Sequence, residues 1–194
     1  MRTPEPRFRV LAAALLFGAT VLGGTAARAA LKPGDQAPGF LLRAAQGGKE
    51  SDLSLAELLS RGPVVLYFFP AAFTTGCTAE AHAFADAVPR FGAAGATVLG
   101  ISEDNIAKLD RFSVSECEGR FAVASDPDGR TARAYDATLP LLPGHASRTS
   151  YAIAPDGTVL AAYEAMNPDG HVDRMLDAVT AWRRAHPGSP APAS

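Results

Sequence analysis

"PVVLYFFPAAFTTGCTAEAHAFADAVPRF", residues 63–91, contains the change of pattern that decides the fold. Its opening "PVVLYFF" is a continuous apolar run held between Gly62-Pro63 and Pro70. A short run of β-branched and aromatic residues between two breakers predicts a strand buried on both faces. Past Gly76 the composition turns helical, with Ala81, Phe84, Ala85 and Val88 at helical spacing. A buried strand leading straight into a helix is the opening of an α/β chain.

The pattern continues outward in the same sense. "ATVLGIS" (96–102) is the next buried strand. A helix is expected from about Asn105 to Cys117, capped by Asp104 or Asn105 and stopped by Gly119, with Ile106, Leu109 and Phe112 inward. "FAVASD" (121–126) reads as a short strand and "DGRTARAYD" (128–136) as a short helix. "TSYAIAPDGTVLAAYE" (149–164) reads as a hairpin around Pro155-Asp156-Gly157. "HVDRMLDAVTAWRRAH" (171–186) is an amphipathic closing helix with Val172, Leu176, Val179 and Trp182 on one face. This order predicts α/β layers with a central mixed β-sheet flanked by helices. The closing hairpin and helix point to a thioredoxin-like fold.

The ends are set apart from that domain. Arg2, Arg7 and Arg9 precede the apolar run "VLAAALLFGATVLGG", and "TAARAA" offers a small-x-small cut near Ala29. Residues 1–29 thus read as a secretory signal peptide, giving a periplasmic or secreted protein with no stable membrane association. The domain spans 30–186, and 187–194 reads as a disordered tail. Removing residues 1–29, with four Arg and one Glu, takes the net charge from −2 to −5. That balance, without basic runs, excludes nucleic acid as a partner. The two cysteines, Cys77 and Cys117, fit either a disulfide staple or a redox pair in an exported chain.

Cys77 follows Thr74-Thr75-Gly76, in the expected first turn of its helix. Unpaired N–H groups and the helix dipole favour a thiolate there, and the N–H groups of Gly76 and Cys77 can hold a polar atom against the sulfur. The Thr74 hydroxyl can both donate and accept, as handling an O–O bond requires. Pro70 removes an N–H and shields the pocket. A buried structural cysteine is the alternative on spacing alone.

Pro70-x-x-x-Thr74-x-x-Cys77 resembles the active-site motif of the peroxiredoxins. "GDQAPGFLL", "YFFP", "GCTAEA" and "SRTSYAIAPDG" agree with it, and residues 31–182 are most similar to the bacterioferritin-comigratory-protein (PrxQ-like) subgroup. The resemblance implies a thiol-dependent peroxidase reducing hydrogen peroxide and organic hydroperoxides through a sulfenic acid on Cys77. It implies that Arg148 stabilises the thiolate and the developing charge, that Thr74 binds the peroxide and that Pro70 shields the site. Glu80, in the first helical turn, serves equally as a cap or as a catalytic group on this reading.

The familiar form of the subgroup carries its resolving cysteine five residues after the peroxidatic one, where this chain has His82. Other family members place it in the next helix, which makes Cys117 the resolving candidate. Near a helix C-terminus Cys117 should be the weaker acid, so a thioredoxin-like or glutaredoxin-like reductant is expected to attack it and expel Cys77. A disulfide requires the two Cα atoms within about 7 Å, so local unwinding around both cysteines is expected. No Cys-x-x-Cys pair is present, and His82, His145, His171 and His186 fall at no ligand spacing, so neither metal nor cofactor is implied. The competing reading is a non-catalytic exported thioredoxin-like module with a structural Cys77–Cys117 disulfide. Monomer and homodimer are both compatible with the pattern. The apolar loop "LPLLPGHAS" (139–147), just ahead of Arg148, is open to either a pocket or an interface role.

Overall fold

In the computed structural model, which describes residues 31–188, the run 63–69 forms the strand β3 (Val64–Phe68) at the heart of a mixed sheet. The sheet is built from β1 (Leu41–Gln46), β2 (Lys49–Ser54), β3, β4 (Thr97–Ser102), β5 (Ala122–Ser125), β6 (Thr149–Ile153) and β7 (Val159–Glu164), in the order β2-β1-β5-β4-β3-β6-β7. β3, β4 and β5 run parallel, and every other pairing is antiparallel. The helices are α1 (Leu55–Leu59), α2 (Thr75–Ala93), α3 (Ile106–Ser115), α4 (Arg130–Ala134) and α5 (His171–Ala185).

Alternation along β3 explains the layers. Val65 and Tyr67, with Phe69 just beyond the strand, join α2, α3 and α5 in one apolar layer. Val64, Leu66 and Phe68 face a second layer with α1, α4 and the N-terminal segment. Both faces are thus dry, as the unbroken apolar run requires. The expected α/β architecture, its mixed sheet and the closing β6-β7-α5 unit are all present.

Two differences matter. The sequence reading contains no β1–β2 hairpin, because β2 (KESDLS) is a polar edge strand with no apolar alternation. Its signal is Gly47-Gly48, both at positive φ (56° and 80°), the two-residue turn that matches strand twist. The second difference is that α3 stops at Ser115, so Cys117 lies beyond the helix and not in it. Glu118 and Gly119 take left-handed backbone (φ 52° and 66°), and Gly119 N–H closes the end onto Ser113 O at 2.9 Å. Asn105 is the N-cap, its side chain accepting from Lys108 N–H at 3.0 Å. Residues 1–29, assigned to a signal peptide, lie outside the described residues, as does most of the 187–194 tail.

Candidate active site

Two strand ends and one helix start converge on Cys77. β3 ends at Phe68, Phe69 N–H still bonds Ile101 O at 3.0 Å, and Pro70 then opens the loop to α2. The loop is tied to the end of β4 by Asp104, whose Oδ2 accepts from Ala72 N–H at 2.6 Å and from the Ser102 hydroxyl at 3.1 Å. Lys108 pairs with its other oxygen at 2.7 Å. Phe73 in this loop has φ 67°, a region a bulky residue rarely enters, and its ring meets Phe112 of α3 edge-on at 5.3 Å. A strained loop pinned at both ends is a pre-set one.

Thr74 is the N-cap residue of α2, and its hydroxyl donates to Ala71 O at 3.0 Å. That bond uses its proton, so towards a ligand the hydroxyl is an acceptor. The first helical bond runs from Thr78 N–H to Thr74 O, leaving Thr75, Gly76 and Cys77 N–H without intrahelical acceptors at the positive end of the helix. Cys77 is 1 % exposed, and Arg148 Nη2 donates to its sulfur at 3.4 Å. The approach depends on Gly76: a Cβ there would stand 3.1 Å from Arg148 Nη2.

Arg148, just before β6, is itself held. Nε donates to Met166 O at 3.0 Å, and Nη1 pairs with Glu80 Oε2. Glu80 is therefore not an N-terminal cap: one turn on from Cys77, it is wholly buried and faces the same side. Burial pushes its carboxyl from 4.5 up to about 7, outweighing the opposing pull of Arg148. Burial alone would lower the Arg148 guanidinium, but Glu80 and the Cys77 sulfur leave it raised.

Behind Glu80 stands His171, buried at the start of α5. Its Nε2 faces Ala165 O at 3.0 Å, which fixes the proton there, so Nδ1 accepts from the Ser150 hydroxyl at 2.8 Å. Burial lowers its pKa and keeps it neutral. Glu80 Oε1, 3.7 Å from Nδ1, has no hydrogen-bond partner among the described residues. Sequence reasoning missed Asp104, His171 and the Met166 carbonyl, whose roles depend on the fold. The Cys77-to-Glu80 spacing of one helical turn was the available signal for Glu80.

Cys117 is a free thiol, as is Cys77, and both are buried in the same apolar layer. Burial, and secondarily Glu116, pushes the Cys117 thiol well above its ordinary value, in the expected direction of the weaker acid. His82 is half exposed and pairs with Glu116 at 3.2 Å. Among the described residues no cluster of three His, Cys, Asp or Glu could hold a metal, and no helix is long and apolar enough to cross a membrane. In the 139–147 loop Leu141 is 93 % and Leu142 57 % exposed. Chemically, the site offers an enclosed sulfur nucleophile, a fixed cation beside it, and free N–H groups where a negative oxygen would form.

Comparison with known proteins agrees with this chemistry. The model of the AhpC/TSA family matches residues 33–162. A protein of Mycobacterium tuberculosis named as a peroxiredoxin is 35 % identical over 151 residues, covering 75 % of this chain and 92 % of its own. The crystal structure of peroxidoxin BcpB from Mycobacterium tuberculosis superposes with a TM-score of 0.71 at 33 % identity, over 78 % of this chain and 97 % of that one. A bacterioferritin comigratory protein of Xanthomonas campestris, described for its alkyl peroxide reduction, gives 0.64 at 29 % identity, over 73 % and 91 %.

Proposed function

The chain belongs to the AhpC/TSA family and is a thiol-dependent peroxidase of the peroxiredoxin kind, and from that premise we propose that Cys77 is the sulfur that attacks the peroxide. The observation that carries this is the Arg148 Nη2 donor 3.4 Å from its sulfur. The Cys77 thiolate attacks one peroxide oxygen and the O–O bond breaks. The attacked oxygen stays on sulfur with its hydrogen as the sulfenic acid. The other leaves as hydroxide or alkoxide and takes up from solvent the proton that the thiol released on ionising, giving water or alcohol. Arg148 and the free N–H groups of Gly76 and Cys77 balance the charge that moves onto oxygen. Thr74 accepts from the peroxide O–H, while Pro70 shields the sulfur. Hydrogen peroxide and organic hydroperoxides both satisfy these contacts; the alkyl peroxide activity attached to the Xanthomonas campestris protein supports the second.

Cys117 then resolves the sulfenic acid to a Cys77–Cys117 disulfide. A thioredoxin-like or glutaredoxin-like donor reopens it by attack on Cys117, because the Cys77 sulfur departs at the start of α2 beside the Arg148 guanidinium, which balances its charge. The N-terminal pattern supports export and cleavage near Ala29, and the enzyme works as a monomer or homodimer. The test is intact mass of the reduced protein after one equivalent of hydrogen peroxide without added thiol. The expected result is loss of two hydrogens, abolished by Cys77→Ser and by Cys117→Ser. Gain of oxygen confined to Cys77 would remove Cys117 from the cycle, and an unreactive Cys77 would overturn the assignment itself.

A further inference from the structure

Cys117 is fastened to α2 from both sides. Glu116, immediately before it, pairs with His82 of α2 at 3.2 Å. Arg120, three residues after it, donates from Nη1 to Ala85 O of α2 at 3.1 Å and stands 3.8 Å from Asp86. The second fastening has a covalent cause. Pro89 sits inside α2 and has no N–H, so the Ala85 carbonyl one turn earlier lacks its helical donor. Arg120 supplies it. Between the fastenings, Arg120 N–H closes a turn onto Cys117 O at 2.9 Å, and Glu118 is held at a positive φ of 52°. Cys117 beneath is 0 % exposed. A sulfur with no exposed surface is closed to a reagent from solvent until the segment carrying it lifts.

We propose that the His82–Glu116 pair and the Arg120–Ala85 hydrogen bond form a clasp over Cys117, whose opening limits the rate at which Cys117 resolves the Cys77 sulfenic acid. This rests on Cys117 being the resolving cysteine. The step it gates condenses Cys77–SOH with Cys117–SH: the S–S bond forms, the S–O bond breaks, and the thiol proton leaves with the hydroxyl as water. The strained Glu118 backbone favours lifting and the two fastenings oppose it, so removing either one speeds resolution.

The test is quenched-flow oxidation with one equivalent of hydrogen peroxide, followed by thiol alkylation and intact mass, for the wild type, His82→Ala, Arg120→Ala and Arg120→Lys. A partly exposed side-chain pair and one net hydrogen bond predict disulfide formation about two- to fivefold faster in His82→Ala and about three- to tenfold faster in Arg120→Ala. Arg120→Lys, which keeps a donor, should stay near wild type. Peroxide consumption at Cys77 should be unchanged in all three. In a Cys77→Ser background, alkylation of Cys117 should rise by the same factors. Unchanged or slower disulfide formation in both alanine variants overturns the clasp while leaving Cys117 as the resolving cysteine. A wild type that forms no disulfide overturns both.

Discussion

Arg148 divides its guanidinium among three acceptors from distant parts of the chain: the Glu80 carboxylate, the Cys77 sulfur and the Met166 carbonyl. A lysine could replace the charge but not the fork. Ionised Glu80 pairs with Arg148, but burial of the carboxylate costs more than that pairing returns, so folding favours the protonated form. With a folded value of about 7 against 4.5 unfolded, native Glu80 keeps a proton that the unfolded chain has already lost. Its contribution to stability is therefore fully present below about 4.5 and is lost as pH rises through about 7. His171, with a lowered value, acts in the opposite sense: its contribution is lost as pH falls below its unfolded value of 6.5. Comparing the wild type with Glu80→Gln separates the two. Urea denaturation should show the wild type losing stability relative to Glu80→Gln between pH 4.5 and 7, with no further relative change above pH 8. A flat difference across that range would mean that Glu80 is ionised throughout. At this scale Cys77, Thr74, Pro70 and Arg148 were legible because one local motif and one strand carry them. The burial of Glu80 was not, because it depends on how α2 is rotated against a strand beginning 69 residues later.

The start of α2 shows how an element can serve chemistry against its own propensity. Glycine costs a helix roughly 1 kcal/mol relative to alanine, yet Gly76 occupies the first turn. A methyl group there would press on Arg148 Nη2 at 3.1 Å. Gly76→Ala should therefore raise the melting temperature or leave it unchanged, while slowing the reaction with peroxide by about tenfold through a displaced cation, given that one oxyanion donor is worth roughly a hundredfold or more. Stopped-flow peroxide kinetics and calorimetry on the same sample check both halves. A variant that is both less stable and slower would place the defect in the fold and not in the cation. Elements with a buried face were readable from sequence because their apolar spacing is imposed by the core: β3, β4, α2 and α5 are examples. The β1–β2 hairpin was not, since Lys49, Glu50, Ser51 and Asp52 face water and only Gly47-Gly48 marks the turn. The end of α3 was misjudged by two residues for a similar reason: Gly119 was visible as a stop, but the left-handed Glu118 that turns Cys117 out of the helix has no side-chain signature.

Across the whole molecule, both cysteines are buried on one face of the sheet, in the apolar layer that a tyrosine also enters. Tyr67 points from β3 into the layer that holds Cys77 and Cys117, and its hydroxyl lies over Gly100 of β4, where a Cβ would come within 2.9 Å. Its ring stacks on Phe84 at 4.4 Å and on Phe69 at 5.4 Å. Burial pushes the phenol well above its ordinary value, with Cys117, Glu80 and Cys77 adding to the effect, so it is neutral and takes no part as a base. The hydroxyl has no hydrogen-bond partner among the described residues. A buried unpaired hydroxyl costs about 1–3 kcal/mol, whereas the ring contributes by packing alone. Tyr67→Phe should therefore stabilise the reduced protein by about 1 kcal/mol in chemical denaturation, with no change in the rate of peroxide reduction. A loss of stability would show that the hydroxyl is bonded in solution to an internal water. A gain of stability with slower disulfide formation would assign the hydroxyl to the oxidised form, where the rearranged cysteine segments would supply the partner it lacks here.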